Sequence, residues 1–254
     1  MAPLAGKTTL VTGASRGVGR AIATRLADLG ALVGVHYGAN DAAAKEALAA
    51  IEGSGGQAFL IRAPLGEDGD LDVLFAALDD GLAGAALDVL VNNAGILDPT
   101  PFDQVTSTAF DRSYAVNVRA PFFITQRALP RMADGGRIIN ISSAVTRIAS
   151  PFLHYAMNKG AIDVFGRTLA NAVGARGITV NNVTPGVIDT DMGSWMDASP
   201  ELRPAIAATT ALGRIGEASD VADVVAFLAS PDARWITGVT IEASGGAWLG
   251  PPTA

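Results

Sequence analysis

Short β-branched apolar runs alternate along this chain with longer Ala/Leu-rich segments of helical period. No other sequence feature limits the fold as tightly. A strand that is apolar at every position must be covered on both faces, which a parallel sheet with crossover helices provides. Strands are expected at Thr8 to Thr12, Ala31 to His36, Gln57 to Arg62, Val89 to Asn92, Arg137 to Ser142, Ile178 to Val183 and Val239 to Ala243. Helices are expected at Gly17 to Leu29, Ala42 to Glu52, Leu71 to Asp80, Ala115 to Met132, Tyr155 to Val173 and Val221 to Ala229. This order predicts an α/β fold, a Rossmann-type doubly wound parallel sheet of about seven strands with helices on both faces. No linker or change of composition divides the chain, so one dinucleotide-binding and catalytic domain is expected over 1–254. Its least regular stretch, 190–212, carries Gly193, Trp195, Pro200 and Pro204 and reads as a lid over a pocket.

Composition narrows the chemistry. Of the 254 residues 49% are apolar and 17% charged, ample material for a core, and the net charge of -7 argues against a nucleic-acid groove. No run approaches the roughly 18 apolar residues of a membrane span. The opening residues show no basic segment followed by an apolar one, so a soluble cytoplasmic protein is expected. With no cysteine, and only His36 and His154 as imidazoles, no metal site is expected and chemistry must use oxygen and amine groups.

The turn from the first strand into the first helix reads Thr12-Gly13-Ala14-Ser15-Arg16-Gly17-Val18-Gly19. Glycines there allow a tight turn and close approach of backbone amides, while the helix terminus favours a pyrophosphate. Asn92-Asn93-Ala94-Gly95 follows the fourth strand. Further on come Asn117, Ser142-Ser143, Tyr155-x-x-x-Lys159 and Pro185-Gly186 with Thr190. In this order the motifs resemble the short-chain dehydrogenase/reductase family, single-domain ketoreductase type, over residues 7 to 246.

Tyr155 and Lys159 are four apart and share one helix face. A phenol near its ordinary pKa of about 10 is a poor proton donor or acceptor at neutral pH, and a nearby ammonium lowers that value. The resemblance implies that Tyr155 moves the proton of a carbonyl/alcohol interconversion. It implies that Lys159 holds the nicotinamide ribose and tunes Tyr155, that a serine polarises the carbonyl, and that Asn117 anchors a relay water. Counted from the strand, that serine is Ser143; counted back from Tyr155, it is Ser142. A one-residue deletion within 151–154 reconciles the two, and Ser143 is expected because the strand decides which hydroxyl faces the pocket.

An acid at the end of the second strand would bind the ribose 2′-OH of NAD and repel the 2′-phosphate of NADP. The chain has Val35-His36-Tyr37-Gly38 there, and Arg16 stands in the glycine loop, so NADP is favoured over NAD. The expected cofactor residues are Gly13, Ser15, Arg16, Gly17, Val18, Gly19, Tyr37, Asn40, Leu65, Asn93, Ala94 and Gly95, with Tyr155, Lys159, Pro185, Gly186, Ile188 and Thr190 at the nicotinamide end. Ala63-Pro64-Leu65 replaces the family's adenine-binding Asp, leaving backbone and apolar contacts for the base. Phe152, His154 and Trp195 are expected to line a substrate pocket. The reading is therefore an NADP-dependent reductase of a ketone or 3-oxoacyl compound. An NAD-linked alcohol or diol dehydrogenase and a non-catalytic dinucleotide-binding subunit stand as alternatives. The resemblance further implies a homotetramer built on the Tyr155 and Val221 helices.

Overall fold

A computed structural model describes residues 2–250; Met1 and 251–254, the ends of the span expected to form one domain, lie outside the described residues. The chain runs β1 (Thr8–Val11), α1 (Gly17–Asp28), β2 (Leu32–Tyr37), α2 (Asp41–Gly53), β3 (Gln57–Arg62), α3 (Asp70–Leu82), β4 (Leu87–Asn92) and α4 (Ser107–Tyr114). It continues with α5 (Ala120–Ala128), β5 (Met132–Ile141), α6 (Leu153–Val173), β6 (Thr179–Pro185), α7 (Leu202–Ala207), α8 (Ala218–Ala229) and β7 (Thr240–Ala243). The seven strands form one sheet in the order β3-β2-β1-β4-β5-β6-β7, and every pairing is parallel.

Successive residues of the central strands feed opposite cores. Val11, Val89, Val91, Ile139 and Ile141 join α1, α2 and α8 on one face, whereas Leu10, Leu90 and Ile138 join α3, α5 and α6 on the other. This two-sided burial explains why the strands read as continuous apolar runs.

Two expectations need correction. The helix read at Ala115 to Met132 is interrupted. An α-helix ends at Tyr114, a π-helical turn spans Ala115–Arg119, and α5 stops at Ala128. β5 begins at Met132 rather than Arg137, with a register shift opposite Leu87 and Val89 before regular pairing resumes at Arg137. Apolar periodicity is nearly blind to one extra residue in a turn, so the π-helical turn left no mark in the sequence.

An amide ladder crosses the sheet below the strand ends. Asn92, Asn140, Asn182 and Thr240 are register partners on β4 to β7. Asn92 Nδ2 donates to Asn140 Oδ1 (2.9 Å), and Asn140 Nδ2 donates to Asn182 Oδ1 (3.0 Å). At Gly166 on α6 an added Cβ would sit 2.0 Å from Asn182 Oδ1. The missing side chain lets α6 lie close on the sheet, bringing its first turns to the carboxyl end of β5. No helix among the described residues is long and apolar enough to cross a membrane.

Candidate active site

The carboxyl ends of β1 and β4, where strand order reverses, open a cleft of about 1110 Å³. Its floor is the glycine loop. Gly13 and Gly17 have φ of +65° and +54°, a region L side chains rarely adopt. A Cβ at Gly19 would lie 2.2 Å from the Gly13 carbonyl oxygen and 2.5 Å from Asn93 Nδ2, so α1 can start this close to the turn only with glycine there. Asn93 braces the loop from β4, its Nδ2 donating to the carbonyls of Thr12 (2.8 Å) and Gly13 (3.1 Å). The Thr12 hydroxyl accepts from the amides of Asn93 and Ala94.

His36, not singled out as a site residue from sequence, secures the same loop. Its Nδ1 accepts from the Gly13 N–H (3.1 Å), so Nε2 carries the proton and donates to the Ala63 carbonyl (2.8 Å). Burial, opposed by that bond, holds the imidazole pKa down to about 4 from 6.5. The folded chain therefore resists a proton that the unfolded chain accepts, and the associated stability is full above pH 6.5 and lost as pH falls toward 4. We expect acid to remove up to about 3 kcal/mol through this residue alone. Urea midpoints measured across that window should fall in the wild type and stay flatter in His36→Gln; parallel curves would refute the assignment.

Every residue expected at the cofactor lines the cleft, from Gly13 through Tyr37 and Leu65 to Thr190. Asn40 and Arg16 have further partners. Asn40 caps α2 by accepting from the Ala43 amide (3.0 Å). Arg16 pairs with Asp191 of the lid at 3.2 Å, both side chains largely exposed. The lid root crosses the loop here, since a Cβ at Gly17 would touch Thr190 at 3.5 Å. The segment expected as a lid consists of 3-10 turns over Asp191–Ala198 followed by α7. Arg203 fastens it to Asp189 (3.0 Å) and Asp197 (2.7 Å).

At the other end, Tyr155 and Lys159 are buried in the first turns of α6. Ser143 caps the turn after β5 and lies beside Tyr155, whereas Ser142 donates its hydroxyl to the Lys159 carbonyl (3.3 Å). Both serines line the cleft, and the backbone gives them different partners. Burial pushes the Tyr155 phenol up to about 12, and the Ser143 hydrogen bond pulls it down. Lys159 was expected to supply that downward pull. Its Nζ instead donates to the Ile141 carbonyl (2.8 Å), 5.7 Å from the Tyr155 ring centroid. Burial lowers Lys159 itself to about 8, with Asp163 one turn later opposing.

Asn117 sits in the π-helical turn, buried behind the cleft wall. Its amide brackets Ile96, accepting from the Ile96 N–H (3.0 Å) and donating to the Ile96 carbonyl (2.9 Å). That pairing secures the chain just past Gly95, where a Cβ would come 2.9 Å from Asn117 Oδ1 and 3.5 Å from Lys159 Nζ. Phe152 and Trp195 line the cleft. His154 does not: it is buried off the cleft with Nε2 unpartnered. Helical rotation explains the difference, because neighbours in an α-helix point about 100° apart and Tyr155 takes the cleft side. Trp248, near the end of the described chain, also lines the cleft and had no local sequence signal.

A doubly wound sheet with a glycine loop at its switch point and a buried Tyr/Lys pair opposite defines a dinucleotide-dependent oxidoreductase acting on C=O and CH–OH groups. The family model described as enoyl-(acyl carrier protein) reductase, of the short-chain dehydrogenases, matches residues 13–247. The chain belongs to the short-chain dehydrogenase/reductase family. Its backbone is similar to that of angucycline C-6 ketoreductase LanV with bound NADP, at TM-score 0.93 and 52% identity, with 98% of each chain covered. LanV has also been solved with NADP and rabelomycin. The promiscuous reductase LugOII, which catalyses keto-reduction at C1 during lugdunomycin biosynthesis, matches at TM-score 0.93 and 51% identity over 97% of this chain and 100% of its own. An uncharacterized oxidoreductase of Methylorubrum extorquens is 42% identical over 97% of this chain and 99% of its own length.

Proposed function

We propose that the protein reduces a ketone to a secondary alcohol with NADPH, Tyr155 donating the proton. The observation that carries this reading is a buried Tyr155 phenol beside Ser143, in the same cleft as the glycine loop. Bound nicotinamide would supply the hydride. A phenol held near 12 stays protonated at neutral pH, which suits a general acid in the reductive direction. As the carbonyl carbon gains hydride, its π electrons move to oxygen, which takes the Tyr155 proton. The Ser143 hydroxyl donates a hydrogen bond to that oxygen, and the Lys159 ammonium, 5.7 Å from the Tyr155 ring centroid, offers the phenolate left behind a positive charge at longer range.

NADP fits the other end. No carboxylate ends β2 to repel a 2′-phosphate. Arg16 is held only by an exposed pair with Asp191, of the kind worth about 0–1 kcal/mol, so a phosphate can recruit it. Ile96, Leu97, Ile148 and Phe152 make the substrate end apolar, which supports an aromatic polycyclic ketone, as does LanV's structure with rabelomycin.

Initial rates on 1-tetralone and rabelomycin test the reading. NADPH should outpace NADH, and reductive kcat/KM should decline above about pH 8 as Lys159 loses its proton. Equal rates with NADH would overturn the cofactor assignment, and a profile flat to pH 10 would remove Lys159 from the mechanism.

The proposal includes a cytoplasmic homotetramer. Phe122, Met157 and Val164 are exposed on α5 and α6, while Phe227 on α8, the 96% exposed Trp235 and Val239 flank the open edge of β7. Two distinct apolar faces, each meeting its own copy across a twofold axis, generate a tetramer. Sedimentation should show four chains, and Trp235→Glu should reduce the particle to dimers.

A further inference from the structure

We propose that Trp248 is a specificity-determining residue whose indole, with that of Trp195, walls the substrate end of the cleft and selects flat fused-ring ketones. The proposal rests on the ketoreductase reading above. Trp248 has φ of +55°; among the described residues Ala83, at the end of α3, is the other non-glycine with positive φ. Tryptophan does not favour this region, so something else must hold it there.

What holds it is a clip between the end of the described chain and the far end of the lid. The Trp248 amide donates to the Thr209 carbonyl (2.9 Å), the Ala211 amide to Gly246 (3.2 Å) and the Leu212 amide to Gly245 (3.1 Å). Thr210 and Ala247 form an antiparallel bridge between these bonds. Gly245 and Gly246, with φ of +64° and +72°, make the bend that feeds the segment into the clip.

The clip delivers the indole into the same cleft that Trp195 enters from the lid. Each tryptophan residue is 40% exposed, and among the described residues neither ring stacks on another aromatic side chain. Two large rings on separate segments, both facing one apolar cavity with ring surface unused, offer stacking area to a planar ligand. An open-chain ketone gains little from such a surface. The cleft therefore discriminates by shape at a point remote from the reacting carbonyl, and the discrimination is expected in binding more than in the chemical step.

Trp248→Gly tests this cleanly, because glycine adopts the left-handed backbone at no cost and the clip hydrogen bonds are retained. With the full chain and NADPH, kcat/KM is measured for 1-tetralone and for the open-chain ester ethyl acetoacetate. The tetralone-to-ester ratio should fall about tenfold or more in Trp248→Gly, mostly through KM, and Trp248→Phe should restore most of it. An unchanged ratio overturns the proposal. Calorimetric titration of 1-tetralone into the NADP-loaded protein separates this failure from that of the underlying reading. Should the wild type turn over neither ketone, ketoreduction itself fails; tetralone binding weakened in Trp248→Gly would still support the indole's role. Equal binding by both proteins, or none by the wild type, would sink it.

Discussion

Replacing Tyr155 with Phe should lower kcat/KM for ketone reduction by about 10²- to 10⁴-fold while leaving NADPH affinity within a few-fold of wild type. The substitution removes one oxygen and keeps the ring that packs in the first turn of α6. The phenol is a buried oxygen acid beside Ser143, and the Lys159 ammonium is held by the Ile141 carbonyl, so neither neighbour can deliver the proton in its place. Fluorescence titration of NADPH alongside steady-state rates distinguishes the outcomes. A variant that loses cofactor affinity and rate together would report a damaged cleft, and one that keeps its rate would remove Tyr155 from the mechanism.

Gly19→Val should abolish measurable NADPH binding and destabilise the fold. A Cβ there meets the Gly13 carbonyl oxygen at 2.2 Å and Asn93 Nδ2 at 2.5 Å; the first is backbone, and the second is a side-chain end held by two hydrogen bonds. The backbone of the loop must move, breaking the Asn93 brace and turning away the amides that would meet the pyrophosphate. Overpacking of this kind costs about 1–3 kcal/mol, occasionally more. Thermal melts and NADPH titration should both register it. Gly53→Val on α2, where a Cβ meets nothing within 4 Å, should leave affinity intact. Normal NADPH affinity in Gly19→Val would mean that the glycine is dispensable and the loop more compliant than its contacts imply.

The two positions illustrate different kinds of legibility. Tyr155 and Lys159 were readable because helical spacing alone puts residues four apart on one face. Gly19 was readable because a strand-to-helix turn dense in glycine has few other uses. His36 was not, since a histidine ending an apolar strand looks the same whether it faces core, solvent or a loop 23 residues earlier in the chain. His154 shows the converse. Its neighbour in sequence lines the cleft, yet one helical step turns it out of the site. For Lys159, the pattern places it on one helix face with Tyr155 but is silent on the Ile141 carbonyl that captures its ammonium.

Sequence by itself determined the order and kind of the main elements, the parallel doubly wound sheet, the glycine loop and the Tyr155/Lys159 pair. These depend on periodicity and spacing within a single element, and neighbouring residues suffice to express them. Tertiary structure alone decided the rest. The Arg16–Asp191 contact and the placement of Trp248 arise from segments distant in the chain being pressed together, and Asn117 in its π-helical turn meets Ile96 the same way. Each depends on distances that no local pattern encodes.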